Sequence, residues 1–188
     1  MPMQLLKYNS GGTLQWTYST PYDTSNFWLG TFSVDNAGNS YVTAGSIAQI
    51  EKIDGTGALV WNNASPGGIF SSTEFWSISF NCDQTKLVIG GTGNILPPQP
   101  YVYQVDMNSG NVTSNFRATD GALFPTEEVR SITACGNGKY YFMTHDSIGF
   151  FNQNFGVCAN PNQAKRYVDN TYHLGYKCEN FRVNNTGI

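Results

Sequence analysis

The chain of 188 residues is poor in helix signals, in charge and in histidine. No stretch of a dozen residues keeps apolar positions at i, i+3, i+4 and i+7 without a glycine, a proline or an asparagine-rich break, so the pattern excludes a helical architecture. Lys, Arg, Asp and Glu make up 12% of the residues, about half the usual share. The formal net charge is −3 and no basic cluster exists, so the electrostatic footprint of a nucleic-acid binder is missing. No apolar run approaches the ~20 residues of a membrane helix, and membrane insertion is not expected. The start shows no basic segment leading into an apolar core and a small-residue cleavage site, so no signal peptide is expected. There is no C-x-x-C, which weakens redox and zinc-ribbon readings.

What remains is the composition of a β protein: 20 glycines, 14% aromatic residues, and many Asn, Ser and Thr. Short β-branched and aromatic runs alternate with turn clusters such as NSGG, DNAG, DGTG and GNG. These runs repeat. Thr31-Phe32-Ser33-Val34 aligns with Ser77-Ile78-Ser79-Phe80 at an offset of 77 − 31 = 46, and a third copy starts at Ser131, a further 131 − 77 = 54 residues on. Between the copies lies a second pattern of strand, Gly-containing turn and strand, at 5–16, 49–61 and 101–113. In it Lys7, Lys52 and Gln104 correspond, spaced 52 − 7 = 45 and 104 − 52 = 52 residues apart. The longer interval holds GNILPPQP (93–100), whose prolines predict a stiff extended loop.

Four short strands in each unit of this length predict an all-β fold, a β-propeller of four-stranded antiparallel blades, about three and a half in this chain. The chain is a single propeller domain or part of one. It opens with half a blade (1–18, strands 4–8 and 13–18), continues with blades at 28–62, 75–116 and 129–178, and ends in a linker (179–188) to a further blade. The outer strand of the last blade is placed at Tyr172–Cys178. Gly45 and Gly91 are expected where backbone approaches backbone. A closed propeller has four to eight blades, so further blades, a second copy or a capping partner is needed to complete the ring.

Ser77–Phe80, a polar turn, Leu87-Val88-Ile89-Gly90-Gly91-Thr92 and Tyr101-Val102-Tyr103-Gln104-Val105-Asp106 together resemble the blades of WD-repeat-like and quinoprotein-like propellers. The Gly-His and Trp-Asp pairs of the WD class are missing. The run TYHLGYKCENFRVNNTGI (171–188) is similar to inter-blade segments of large secreted propellers of Bacteroidetes. That resemblance implies a secreted or cell-surface protein, exported by the type nine route, and it makes Ser147 in Asp146-Ser147-Ile148 a candidate O-glycosylation site.

Residues able to carry chemistry are few. His145 and His173 are the only histidines, no serine sits in a G-x-S-x-G elbow, and the one adjacent acidic pair is Glu127-Glu128. No catalytic residue, cofactor or metal site is assigned, and the chain is expected to be a non-catalytic binding or adhesion module rather than an enzyme, the alternatives being a structural component or exported client of a larger cell-surface assembly and a propeller enzyme that acts on glycans or is quinone-linked. The four cysteines, Cys82, Cys135, Cys158 and Cys178, allow three pairings and suit an oxidising compartment. Cys158 and Cys178 flank a hairpin with 178 − 158 − 1 = 19 residues between them. A disulfide there would contribute roughly 3 kcal/mol by the loop-entropy model, the alternative being two free thiols. Recognition is expected on the long loops 19–26, 63–73, 93–100 and 117–127 and on the aromatic residues around them: Tyr22, Phe27, Trp28, Phe70, Phe75, Trp76, Tyr101 and Phe124. The expected partner is a protein or a glycan at the cell surface. For the aromatic residues at equivalent places in successive blades, Trp16 and Trp61 among them, packing between blades competes with ligand stacking.

Overall fold

The computed structural model describes residues 3–21, 31–44, 48–63, 74–81, 83–95, 98–117, 129, 131–135, 139–143, 147–152 and 166–168. The first hairpin, β1 (Gln4–Tyr8) and β2 (Leu14–Ser19), forms a two-stranded sheet. Three four-stranded antiparallel sheets follow, each in sequence order. Blade one contains β3 (Thr31–Val34), β4 (Ser40–Ala44), β5 (Gln49–Ile53) and β6 (Leu59–Asn63). Blade two contains β7 (Glu74–Phe80), β8 (Lys86–Ile95), β9 (Pro98–Asp106) and β10 (Val112–Arg117). Blade three contains β11 (Ser131–Cys135), β12 (Lys139–Met143), β13 (Ser147–Asn152) and β14 (Arg166–Val168). The fold is a partial β-propeller.

Two placements differ from the sequence reading. The strand beside β13 is Arg166–Val168, with Ser147 opposite Val168, and not Tyr172–Cys178. Tyr167 and Val168 suit a pleated edge, and the run 172–178 lies outside the described residues. The segment 93–100 is not a free loop, because β8 runs on to Ile95 and β9 starts at Pro98, with Ile95 opposite Pro98 and Thr92 opposite Pro100. β10 ends opposite Tyr101, so among the described residues the start of β9 is paired on one side alone, and proline is tolerated on such an edge.

The turns explain why units with few shared letters adopt one plan. At Asn9, Asp35 and Asp54 a side-chain oxygen accepts the backbone N–H groups two and four residues ahead, at 2.8–3.1 Å. The residue three ahead is a glycine at φ 78, 84 or 90°. Asn or Asp closes the turn and glycine turns the chain; the letters between are free. At Asn81 the left-handed position is held by Gln84 (φ 55°). Its Oε1 accepts the Asn36 N–H of blade one at 3.3 Å, so a turn in one blade is tied to a turn in the next.

The core lies between blades one and two. Tyr41 and Ile50 from one sheet meet Phe75, Ile78, Leu87, Ile89, Tyr103 and Val105 from the other. Tyr41 meets Phe80 edge-on, with ring centroids 5.6 Å apart. Neither sheet has an interior of its own, so the apolar faces leave water only by stacking.

Candidate functional site

Strands β2, β4, β6, β8 and β10 end, and β3, β5, β7, β9 and β11 begin, at one rim, the loop rim. The Asn- and Asp-closed turns lie at the other. Three of the sequence-predicted aromatic residues fall within the described part, all at the loop rim of blade two. Tyr22, Phe27, Trp28, Phe70 and Phe124 lie outside the described residues.

Phe75 is a correction. It is fully buried in the core, 5.3 Å from the Tyr103 ring, and is not available to a ligand. It opens an inner strand whose face is covered, and its volume fills the gap beneath the rim. Trp76 is half-buried and sits at a register shift, where Phe75 faces Gly91 and Ser77 faces Gly90. A bulge of this kind redirects a side chain relative to the regular pleat. Gly91 is required opposite it, since a Cβ there would stand 1.9 Å from the Glu74 carbonyl oxygen.

Tyr101 is half-buried and stacks on Tyr103, with centroids 5.9 Å apart and planes at 21°. Tyr103 is buried, and its hydroxyl donates to the Thr92 carbonyl at 2.7 Å. Tyr101 thus rests on a ring that is itself anchored to the backbone of β8. The arrangement offers a flat, rigid, partly exposed aromatic face, suited to a sugar ring, a proline or another aromatic group.

No group of three His, Cys, Asp or Glu side chains able to hold a metal occurs among the described residues. His145, His173, Cys82, Cys158 and Cys178 lie outside them, and of Cys135 and Ser147 only the backbone is described. The titratable groups with clear shifts lie away from this rim. Burial raises the Glu51 carboxyl above the usual range, against the hydrogen bonds it accepts from Tyr18 Oη (3.1 Å) and Gln49 Nε2 (3.2 Å). Burial also pushes up the Tyr41 hydroxyl, reinforced by the Asp35 carboxylate to which it donates at 3.2 Å. For Asp35, desolvation acts upward, but the donors Asn39, Tyr41 and Ala37 outweigh it and leave its pKa lowered.

Trp16 and Trp61 settle as packing residues, through a device that sequence reading missed. Lys7 is paired across the hairpin with Trp16, and Lys52 with Trp61. In the first hairpin, Lys7 Nζ and Trp16 Nε1 both donate to the Gly55 carbonyl of blade one, at 3.0 and 3.1 Å. In blade one, Lys52 Nζ and Trp61 Nε1 both donate to the Met107 carbonyl of blade two, at 3.5 and 3.3 Å. Each indole lies over a glycine with positive φ in that same turn. A Cβ on Gly57 would stand 2.8 Å from Trp16, and one on Gly110 2.5 Å from Trp61. The signal was in the sequence, as a Lys and a Trp nine residues apart (16 − 7 = 61 − 52 = 9) with a glycine-bearing turn one repeat later.

No family model matches the sequence, and a search of curated proteins finds no match. Solved structures do match. A streptogramin B lyase superposes with a TM-score of 0.62 at 17% identity over 90% of this chain and 49% of its own. The quinohemoprotein alcohol dehydrogenase of Comamonas testosteroni gives 0.57 at 16% identity over 84% and 31%. A protein of unknown function from Bacteroides caccae gives 0.53 at 18% identity over 82% and 56%. The chain is similar to these propellers in fold and spans less than two thirds of the length of each.

Proposed function

We propose that the chain is part of an extracellular or cell-surface β-propeller that acts as a non-catalytic binding or adhesion module, with the loop rim of blade two as its contact surface for protein or glycan. The observation that carries this reading is the Tyr101–Tyr103 stack, a partly buried ring supported by a buried ring that is tied to the backbone. A rigid support lowers the ordering cost of binding, which is the physical advantage of presenting recognition groups on stacked blades. Low charge and Asn- and Thr-rich turns suit an extracellular surface, and export by the type nine route belongs to the same reading.

A glycan array and a surface-protein pull-down, run with the chain and with Tyr101→Ala, test the proposal. Binding that weakens about tenfold on loss of the ring, a cost of ~1.4 kcal/mol, supports it. Binding unchanged in the variant overturns the rim assignment. Protease shaving of intact cells tests the location.

A second reading, a structural component of a larger assembly, is favoured by Phe32 and Val34. They lie on the face of β3 turned toward β1–β2 and are about half exposed, whereas Ile78, the counterpart of Phe32, is buried against blade one.

A further inference from the structure

The first hairpin presents a face that the rest of the molecule always covers. One repeat later, at an offset of 45, Gln4, Leu6 and Tyr8 correspond to Gln49, Glu51 and Ile53. In blade one those three are sealed beneath β1–β2, at 2, 2 and 0% exposure. In blade two the counterparts of Glu51 and Ile53 are Tyr103 and Val105, also buried. On β1 the same positions are open, with Leu6 44% and Tyr8 55% exposed.

The turn of this hairpin repeats the geometry of the Asp54 turn, and the Asp106 turn is the same with one residue more. Gly12 has φ 78°, beside 90° at Gly57 and 72° at Gly110. The Ser10 carbonyl holds the place of the Gly55 carbonyl, 55 − 10 = 45 residues earlier. Only the occupant differs. A Cβ on Gly12 would meet nothing within 4 Å, whereas Gly57 and Gly110 each lie under an indole.

We infer that the face of β1–β2 formed by Leu6, Tyr8, the Ser10 carbonyl and Gly12 is a docking site for a further blade of the same ring, one whose outer two strands carry a cross-paired Lys and Trp. The indole lies on Gly12 and donates to the Ser10 carbonyl, the ammonium shares that carbonyl, and the strand faces cover Leu6 and Tyr8. The basis is continuity with an established interface, built twice in this chain from the same residue types at the same register. A second copy of the chain is a poor occupant. Its Lys7–Trp16 and Lys52–Trp61 pairs are already engaged within its own blades, and in blade two the corresponding pair is Gln104 and Ser114.

The test extends the chain at its N-terminus with a second copy of its residues 4–48, one repeat of 48 − 4 + 1 = 45 residues, which sets a Lys–Trp pair ahead of Ser10 and Gly12. A melting temperature several degrees higher is expected, with the gain lost on Trp16→Ala in the added copy. Gly12→Ala should lower the melting temperature more in the extended chain than in the original, where the methyl group points into open space. Equal effects of Gly12→Ala in both chains, or no effect of the added tryptophan, would overturn the inference. A measurement independent of how the extended chain folds titrates a synthetic hairpin of residues 49–63 into the original chain. The Gly12 and Leu6 amide resonances should shift with this hairpin and not with its Trp61→Ala form, and identical shifts with both overturn the inference. Concentration-dependent dimers of the original chain, abolished by Leu6→Glu, would make a second copy the occupant and overturn the choice made here.

Discussion

Two kinds of joint hold the stacked sheets together. The joints before and after blade one are fastened at the outer edge, by a lysine and a tryptophan converging on one carbonyl. The joint between blades two and three is fastened at the loop rim. There the Val129 N–H donates to the Gly91 carbonyl at 3.2 Å, and the Val129 side chain sits where a Cβ on Gly90 would stand, 2.4 Å from its Cγ1. The corresponding outer pair in blade two is Gln104 opposite Ser114, whose hydroxyl donates to the Gln104 side-chain oxygen at 3.0 Å. The chain also changes where such a clamp would land. Blades one and two offer tight turns after Ile53 and Asp106, but β13 and β14 are separated by 166 − 152 − 1 = 13 residues.

Six substitutions, taken in four comparisons, can break or sharpen this contrast. The largest effect is expected from Trp61→Ala, which removes the ring seated on Gly110 and packed 6.3 Å from Tyr41. A loss of about 3 kcal/mol is expected in urea unfolding, against under ~1 kcal/mol for Gln104→Ala at the joint between blades two and three. Equal losses would erase the distinction between the joints.

Next is Gly90→Ala, expected to cost about 2 kcal/mol by overpacking. Val129→Ala in the same chain should return part of it, since the two sites touch, and strict additivity of the two changes would show that Val129 does not fasten this joint.

Glu51→Gln should act in the opposite direction. The native pKa of Glu51 is raised by burial, so the folded state holds its proton more tightly than the unfolded state does. Its contribution is fully present below the ordinary glutamate range and is lost as pH rises through the raised native value. At pH 7 the glutamine variant should therefore melt about 2–4 °C higher, and the gap should close on acidification toward pH 4. A gap that widens on acidification would refute the buried-carboxyl account of the first joint.

The smallest effect belongs to Lys52→Met, which keeps the stem and loses a 3.5 Å hydrogen bond and a cation 5.3 Å from the Tyr41 ring. About 0.5–1 kcal/mol is expected, decreasing with added salt.

The repeat was legible because alternation and turn chemistry are local. Asp35, Gly38 and Asn39 announce a hairpin whatever surrounds them, and so do Asp54 and Gly57. The stacking of like sheets followed, since none of them can bury its faces alone. The roles of side chains on those faces were not legible. Phe75 and Tyr101 read alike as rim aromatics, and only the covering of one and the stacking of the other separates them. The start of β9 misled because proline signals a loop until one sees that its described pairing is on one side alone. The Lys–Trp clamp escaped because its acceptor belongs to the next repeat, and no window within one repeat contains both halves.

The acid-closed turns have a further consequence. Asp35, Asp54, Asp83 and Asp106 all have lowered pKa values, and all occupy the rim opposite Tyr101. For Asp54 and Asp83 the largest influence is a side-chain hydroxyl, of Thr56 and Thr85, and for Asp106 it is the Ser109 N–H. The molecule therefore has two poles with different sensitivities. Strong acid discharges four carboxylates at one pole and loosens its hairpin tips, while at the opposite pole the described carboxylate beside the rings is that of Glu74. The hairpin tips of successive blades should therefore loosen together, below the ordinary aspartate range.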